Sequence, residues 1–416
     1  DKSISHRAAM IAAMAIGKTR VENFATSADC DSTVQCLQQL GVIIERDGNS
    51  IIVHGVGKKG FSESKEILDC QNSGTTMRLL SGILAGQNFD SVLTGDDSLR
   101  KRPMRRIIEP LGELGAKIES DDGVAPLKIF GGNNLQARSS HSRVASAQVK
   151  SCVLFAALNA SGTTIFSENP QTRDHTERML EWFGVDVKRF KTEIGHEIRI
   201  DGDSILTARD VSVPSDVSSA AFFIVAAACL KDSDLTLRNI GINPTRREII
   251  NVLQGFGANI IIEDEREVCN ELVGNVKVCG DAITSNASDS HILSGSQIAG
   301  LIDELPILAV FGTQLERGLE VRDASELRVK ESDRITTIVE GLRKMNAKIT
   351  EFPDGFRVEK SDLRGAKVES HGDHRIAMSL AIAALFATGE TEIIGAEAVD
   401  VSLPDFFSML ANISER

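Results

Sequence analysis

A pattern repeated six times along the chain restricts its architecture more than any other feature. Each copy has two halves. The first half is a helix of small residues, a short strand with β-branched residues and a polar loop. These helices fall at residues 3–17, 73–86, 146–162, 218–231, 303–318 and 373–389. The second half is an amphipathic helix, a Leu-Gly-Ala string or a relative of it, and a hairpin. The strings are Leu40-Gly41-Val42, Leu114-Gly115-Ala116, Phe183-Gly184-Val185, Phe256-Gly257-Ala258 and Met345-Asn346-Ala347. Gly or Asn after the last apolar residue suits a left-handed helix C-cap. Asp47-Gly48, Asp122-Gly123 and Asp354-Gly355 suit the hairpin turns that follow.

The caps recur about every seventy residues, with a longer fourth interval. That period is too long for a solenoid and suits a βαβαββ unit. The expected fold is therefore α/β, with two similar domains of three units each. The domains are predicted at residues 1–213 and 214–416, divided near Val213-Pro214-Ser215. The sixth copy stops after its helix. Residues upstream of Asp1 are expected to supply its hairpin, so the extreme N-terminus is expected to join the second domain.

Each first-half helix starts on a polar residue or pair: Ser3, Ser73-Gly74, Ser146, Ser218-Ser219, Asp303 and Asp373-His374. A helix N-terminus offers unpaired N–H groups and roughly half a positive charge. Two domains facing across a cleft would aim six such tips inward, a site for phosphate and carboxylate. Lys2, Arg7, Arg78, Arg102, Arg173, Lys330, Arg334 and Arg375 lie beside these tips or in the loops after the strands. Any one of them alone reads as a solvated surface charge. Their equivalent placement in successive copies argues for anion binding.

Five strings carry a family resemblance. They are Lys2-Ser3-Ile4-Ser5-His6-Arg7, Asn72-Ser73-Gly74-Thr75-Thr76-Met77-Arg78, Leu93-Thr94-Gly95-Asp96 running on to Lys101-Arg102-Pro103-Met104, Leu327-Arg328-Val329-Lys330-Glu331-Ser332-Asp333-Arg334, and Asp373-His374-Arg375. In this order the chain resembles 5-enolpyruvylshikimate-3-phosphate synthases from Lys2 to about Pro404. The resemblance implies an inside-out α/β barrel architecture. It also implies transfer of the enolpyruvyl group of phosphoenolpyruvate to the 5-hydroxyl of shikimate 3-phosphate, with release of phosphate. No cofactor and no metal are implied, and the chain is expected to act as a cytoplasmic monomer on small molecules.

By the same resemblance, Lys2, Ser3, Arg7, Ser146, Gln148, Arg173, Asp303 and Lys330 bind shikimate 3-phosphate. Lys2, Gly74, Arg102, Gln148, Arg334 and Arg375 bind phosphoenolpyruvate. Ser146-Ala147-Gln148-Val149-Lys150, Arg173-Asp174-His175-Thr176-Glu177 and Asn243-Pro244-Thr245-Arg246 resemble the second class of these enzymes, in which Arg173 would hold the 3-phosphate. Ala147, Glu326 and Val401 depart from the first-class pattern. Members of the second class often tolerate glyphosate, yet Gly74 is glycine where alanine confers tolerance in some relatives. The two observations point opposite ways.

The implied reaction adds an alcohol across an enol double bond and then eliminates phosphate. It needs a base at the hydroxyl, an acid at the methylene carbon and neutralisation of several negative charges. Asp303 is the expected base, with Lys2 as partner or rival, and Glu331 the expected acid. The competing reading of Glu331 is an ion pair with Arg334, three residues on along a helix. Two domains also imply closure around the ligands.

Other readings are weaker. Gly17-Lys18-Thr19 lacks the first glycine of a phosphate-binding loop and follows a helix instead of preceding one. Gly55-Val56-Gly57-Lys58-Lys59-Gly60 fits a dinucleotide fingerprint, but neither the helix nor the acid that should follow it is there. His371 and His374 lack companions for a metal site. The net charge of −13 gives nucleic acid no electrostatic support. The longest apolar stretches, at 220–230 and 376–387, are too short to span a bilayer. Seven cysteines without CxxC pairing read as reduced thiols. The nearest alternative is the sister reaction, enolpyruvyl transfer to a UDP-amino sugar in cell-wall synthesis. Its reactive loop cysteine has no counterpart near Arg102.

Overall fold

The computed structural model describes every residue except Arg143, Ile194, Ala282, 284–290, Glu415 and Arg416. The chain forms two compact units. One is Asp1–Val213 with Val268–Glu271, and the other is Pro214–Glu267 with Leu272–Arg416. The tip of the hairpin formed by Asn259–Val268 and Glu271–Cys279 thus belongs to the first unit.

Among the described residues, four of the six repeats form small mixed sheets of four strands. In the second copy, Leu68–Asp69 pairs in parallel with Ser91–Thr94 across the helix Gly74–Leu84. The hairpin Ile118–Asp121 and Val124–Ile129 then adds antiparallel strands. The third copy repeats this with Ser139–His141, Thr163–Glu168, Lys188–Thr192 and Gly195–Asp201. The fifth does so with Ile292–Leu293, Leu319–Val321, Ile349–Phe352 and Gly355–Val358. In the first copy the opening strand comes from the far end of the unit, because Val211–Ser212 runs parallel to Ile16–Glu22. The sixth copy contributes the parallel pair Lys367–Glu369 and Glu392–Ile394, then the helix Phe406–Ser414.

The second-half caps behave as their chemistry requires. Gly41, Gly115, Gly184, Gly257 and Asn346 all take positive φ, between 69° and 102°. Asp122 and Gly123 are both at positive φ in their hairpin turn.

The small-residue helices form the cores. Lys2–Met14 buries every side chain from Ile4 onward, and Leu305–Gly312 is buried throughout. A helix that is apolar on all sides must be surrounded by protein. Small residues set how closely two such helices approach. A Cβ built on Gly82, in the Gly74–Leu84 helix, would lie 2.1 Å from the carbonyl oxygen of Cys152 in Ala147–Ala157. Gly82→Ala is therefore expected to cost roughly 1–3 kcal/mol by forcing two backbones apart. An unchanged thermal midpoint by circular dichroism would show that the pair can separate freely.

The helix starts correct the expectation of six bare tips. The helices expected at Ser3, Ser218 and Asp303 begin instead at Lys2, Val217 and Leu305. Asp1, Asp216 and Asp373 cap three of the six helices, accepting from the N–H of Ile4, Ser218 and Arg375. These three tips already hold a carboxylate from the chain itself. Ser73 and Ser146 cap two others with neutral hydroxyls, leaving the dipole uncompensated there. Asp1 lies in the first unit and closes the start of that unit's first helix.

Candidate active site

Each unit gathers charged side chains at the starts of its core helices. In the first unit, Ser73 places Gly74 at the first turn of its helix. A methyl on Gly74 would stand 3.2 Å from Nη1 of Arg78 and 3.4 Å from Nη1 of Arg102. Two guanidinium groups therefore flank a glycine at a serine-capped tip, an arrangement that favours an anion. Arg102 is 6% exposed and fixed by Asn72, donating to its carbonyl at 3.2 Å and to Oδ1 at 2.7 Å, and to Ser98 Oγ at 3.1 Å. Arg78 donates to Gln148 Oε1 at 2.5 Å, and Gln148 Nε2 donates to Thr75 Oγ1 at 2.9 Å. Gln148 thus joins the Gly74 and Arg102 group, in the first turn of the helix capped by Ser146.

Lys2 and Arg7 share the Lys2–Met14 helix but play different parts. Lys2 Nζ lies 2.7 Å from Asp29 Oδ2, on the neighbouring helix Ala28–Gln39. Arg7 is buried and braces three elements. It donates to the Ser3 carbonyl at 2.8 Å, to Ser151 Oγ at 2.8 Å and to Thr176 Oγ1 at 2.7 Å. Arg173 is half-buried, in the segment between Thr163–Glu168 and the helix His175–Trp182. Burial, then the nearby Lys2 and Arg7, push His6 well below its ordinary pKa. His6 is therefore neutral, bonded through Nδ1 to Thr33 Oγ1 at 2.7 Å.

The second unit brings five of the predicted residues into one network. Asp303 lies in the turn between Gln297–Leu301 and Leu305–Gly312. Its Oδ1 is 3.6 Å from Lys330 Nζ and 3.4 Å from Arg334 Nη1. Its carbonyl accepts from Arg375 Nη1 at 3.0 Å, and its Oδ2 is 4.0 Å from Nη2 of the same arginine. Arg334 Nη2 reaches Glu331 Oε2 at 2.6 Å. The Glu331–Arg334 ion pair is thus present, but not along a helix, because that helix begins at Arg334.

Asp373 holds this network from beneath. It is fully buried, meets Arg334 Nε at 2.8 Å, and accepts from Ser332 Oγ at 3.1 Å while capping its own helix. Burial alone would lower the pKa of Arg334. Asp373, then Glu331 and Asp303, outweigh it and keep the guanidinium charged. Three cations face three carboxylates, so an incoming anion must compete with a carboxylate for its guanidinium or ammonium partner.

Sequence reasoning placed Asp373 only as a helix start, and it missed Asp29, Asn72 as an arginine clamp, and Glu304. Glu304 is fully buried, hydrogen-bonded to Ser218 Oγ and 3.9 Å from both Arg246 and Arg375. A buried carboxylate is a signal only once its partners, distant in the chain, are known. Among the described residues, no group of His, Cys, Asp and Glu could hold a metal ion.

Comparison with known proteins gives a consistent result. The family model described as EPSP synthase (3-phosphoshikimate 1-carboxyvinyltransferase) matches residues 1–410. A 3-phosphoshikimate 1-carboxyvinyltransferase of Bacillus licheniformis is 46% identical, covering 100% of this chain and 96% of the relative. One of Koribacter versatilis is 47% identical, covering 100% and 95%. The solved structure of EPSP synthase from Acinetobacter baumannii superposes with a TM-score of 0.86 at 41% identity, covering 99% of this chain and 94% of that one.

Proposed function

Because the chain belongs to the EPSP synthase family, we infer that it transfers the enolpyruvyl group of phosphoenolpyruvate to the 5-hydroxyl of shikimate 3-phosphate and releases inorganic phosphate. The residue assignment rests on one observation above the others. Asp303, Lys330, Glu331, Arg334 and Arg375, scattered over more than seventy residues of sequence, meet in a single network above the buried Asp373.

Arg102, Arg334 and Arg375 bind phosphoenolpyruvate, with Gly74 and Gln148 beside it. Lys2, Ser3, Arg7, Ser146, Gln148 and Arg173 hold shikimate 3-phosphate, with Asp303 and Lys330 at its reacting hydroxyl. Asp303 takes the proton of the 5-hydroxyl as its oxygen bonds to C2 of phosphoenolpyruvate. A proton arrives at C3, giving a tetrahedral intermediate that still carries its phosphate. Loss of that phosphate and of a C3 proton restores the double bond. The arginines and Lys330 stabilise the charge that moves onto the leaving phosphate.

Glu331 delivers the C3 proton only after parting from Arg334 and taking up a proton from solvent. Substrate carboxylate or phosphate competing for that guanidinium supplies the exchange. Lys2, held by Asp29, is the partner that returns protons during elimination.

We place the enzyme in the cytoplasm as a monomer. All seven of its cysteines are free, in keeping with a reducing compartment. The test is phosphate release from phosphoenolpyruvate with each acceptor in turn. Turnover with shikimate 3-phosphate and none with a UDP-amino sugar supports the reading, and the reverse overturns it.

A further inference from the structure

We propose that Lys150 is a positioning residue for the 3-phosphate subsite, setting the place of Arg173 through two buried glutamates. The inference rests on the reading of Arg173 as a ligand of that phosphate.

Lys150 is fully buried, one turn into the Ala147–Ala157 helix that Ser146 caps and Gln148 shares. Its ammonium meets Glu168 Oε1 at 2.7 Å, Glu177 Oε1 at 2.8 Å and the Thr172 carbonyl at 3.3 Å. These contacts bracket the Arg173 segment. Glu168 ends the strand before it, Thr172 immediately precedes Arg173, and Glu177 lies in the first turn of the helix after it. Glu168 grips Thr172 a second time, accepting from its N–H at 3.1 Å and from its hydroxyl at 2.5 Å. The segment itself has no regular structure to hold its shape. One ammonium therefore fixes Arg173 relative to the tip that carries Ser146 and Gln148. A compact cation with three rotatable donors suits such a junction.

The charge count sharpens the picture. One cation faces two carboxylates, each about 2% exposed. Burial raises the pKa of Glu177 despite the attraction of Lys150, and its Oε2 meets no partner among the described residues. Glu168, which also holds Thr172, is the member that clamps the segment.

The test is calorimetric binding of shikimate 3-phosphate and of shikimate, which lacks the phosphate. Lys150→Met is expected to weaken shikimate 3-phosphate about 10–100-fold and to leave shikimate within about threefold. Arg173→Ala should show the same selective loss. If Lys150→Met does not fold, the charge-matched pair Lys150→Met with Glu168→Gln takes its place, since only Glu177 then remains in the pocket. Normal shikimate 3-phosphate binding by the folded Lys150 variant, alongside a weakened Arg173→Ala, overturns the positioning role alone. Normal binding by Arg173→Ala overturns the subsite reading beneath it. Equal weakening of both ligands shows a general structural role and also overturns the proposal.

Discussion

Asp303→Asn lowers kcat by about 10²–10⁴-fold, the range supplied by one placed proton-transfer group, while affinity for shikimate 3-phosphate stays within a few-fold. The asparagine keeps the shape of the side chain and one oxygen for Arg334 and Lys330. The backbone carbonyl that Arg375 uses is untouched. What it loses is the capacity to take a proton. Steady-state turnover and equilibrium binding on the same preparation separate the two effects. A kcat within threefold of wild type would remove Asp303 as the base and leave Lys2 as its rival. A loss confined to KM would make Asp303 a binding group only.

Arg334→Met has the second large effect, on stability as well as rate. Arg334 is 1% exposed and touches three carboxylates, and Asp373 beneath it is fully buried. Removing one partner of a buried pair typically costs about 3–5 kcal/mol, because the other charge is left uncompensated. For a unit of this size that is on the order of 10 °C in thermal midpoint. Adding Asp373→Asn should recover part of the stability, since the stranded charge disappears with it. Activity should not return, because the guanidinium proposed to bind phosphoenolpyruvate is still missing. If the double variant regains turnover, Arg334 only supports the fold. If the single variant melts like wild type, the network is not the keystone of its unit.

Much of this was legible before any coordinates. The repeat showed because its punctuation is a local requirement: a residue that must take positive φ at a helix end is Gly or Asn, and Gly41, Gly115, Gly184, Gly257 and Asn346 do so. The cationic residues showed because they recur at equivalent points of successive copies. Helix starts were less legible. Ser3 and Ser218 look like caps, but Asp1 and Asp216, each two residues earlier, win the N–H groups with a full charge. The opening strand of the first copy was hidden for another reason. Val211–Ser212 pairs with a strand some 190 residues earlier, and two residues carry no periodicity. Lys150 stood in a quoted motif, yet its partners lie 18 and 27 positions away on another strand and helix. No spacing rule joins them. Asp373 was visible as a cap, and only the packing of Arg334 against it makes it the floor of the network.

The central claim of the proposed function is that Arg102 and Arg375 are both ligands of phosphoenolpyruvate. Titration of phosphoenolpyruvate by calorimetry, with shikimate 3-phosphate already bound, tests it on wild type, Arg102→Ala and Arg375→Ala. Both variants are predicted to lose about tenfold or more in phosphoenolpyruvate affinity, the loss expected for one charge-assisted contact, while shikimate 3-phosphate binds each as it binds wild type. Unchanged phosphoenolpyruvate affinity in either variant would contradict the claim.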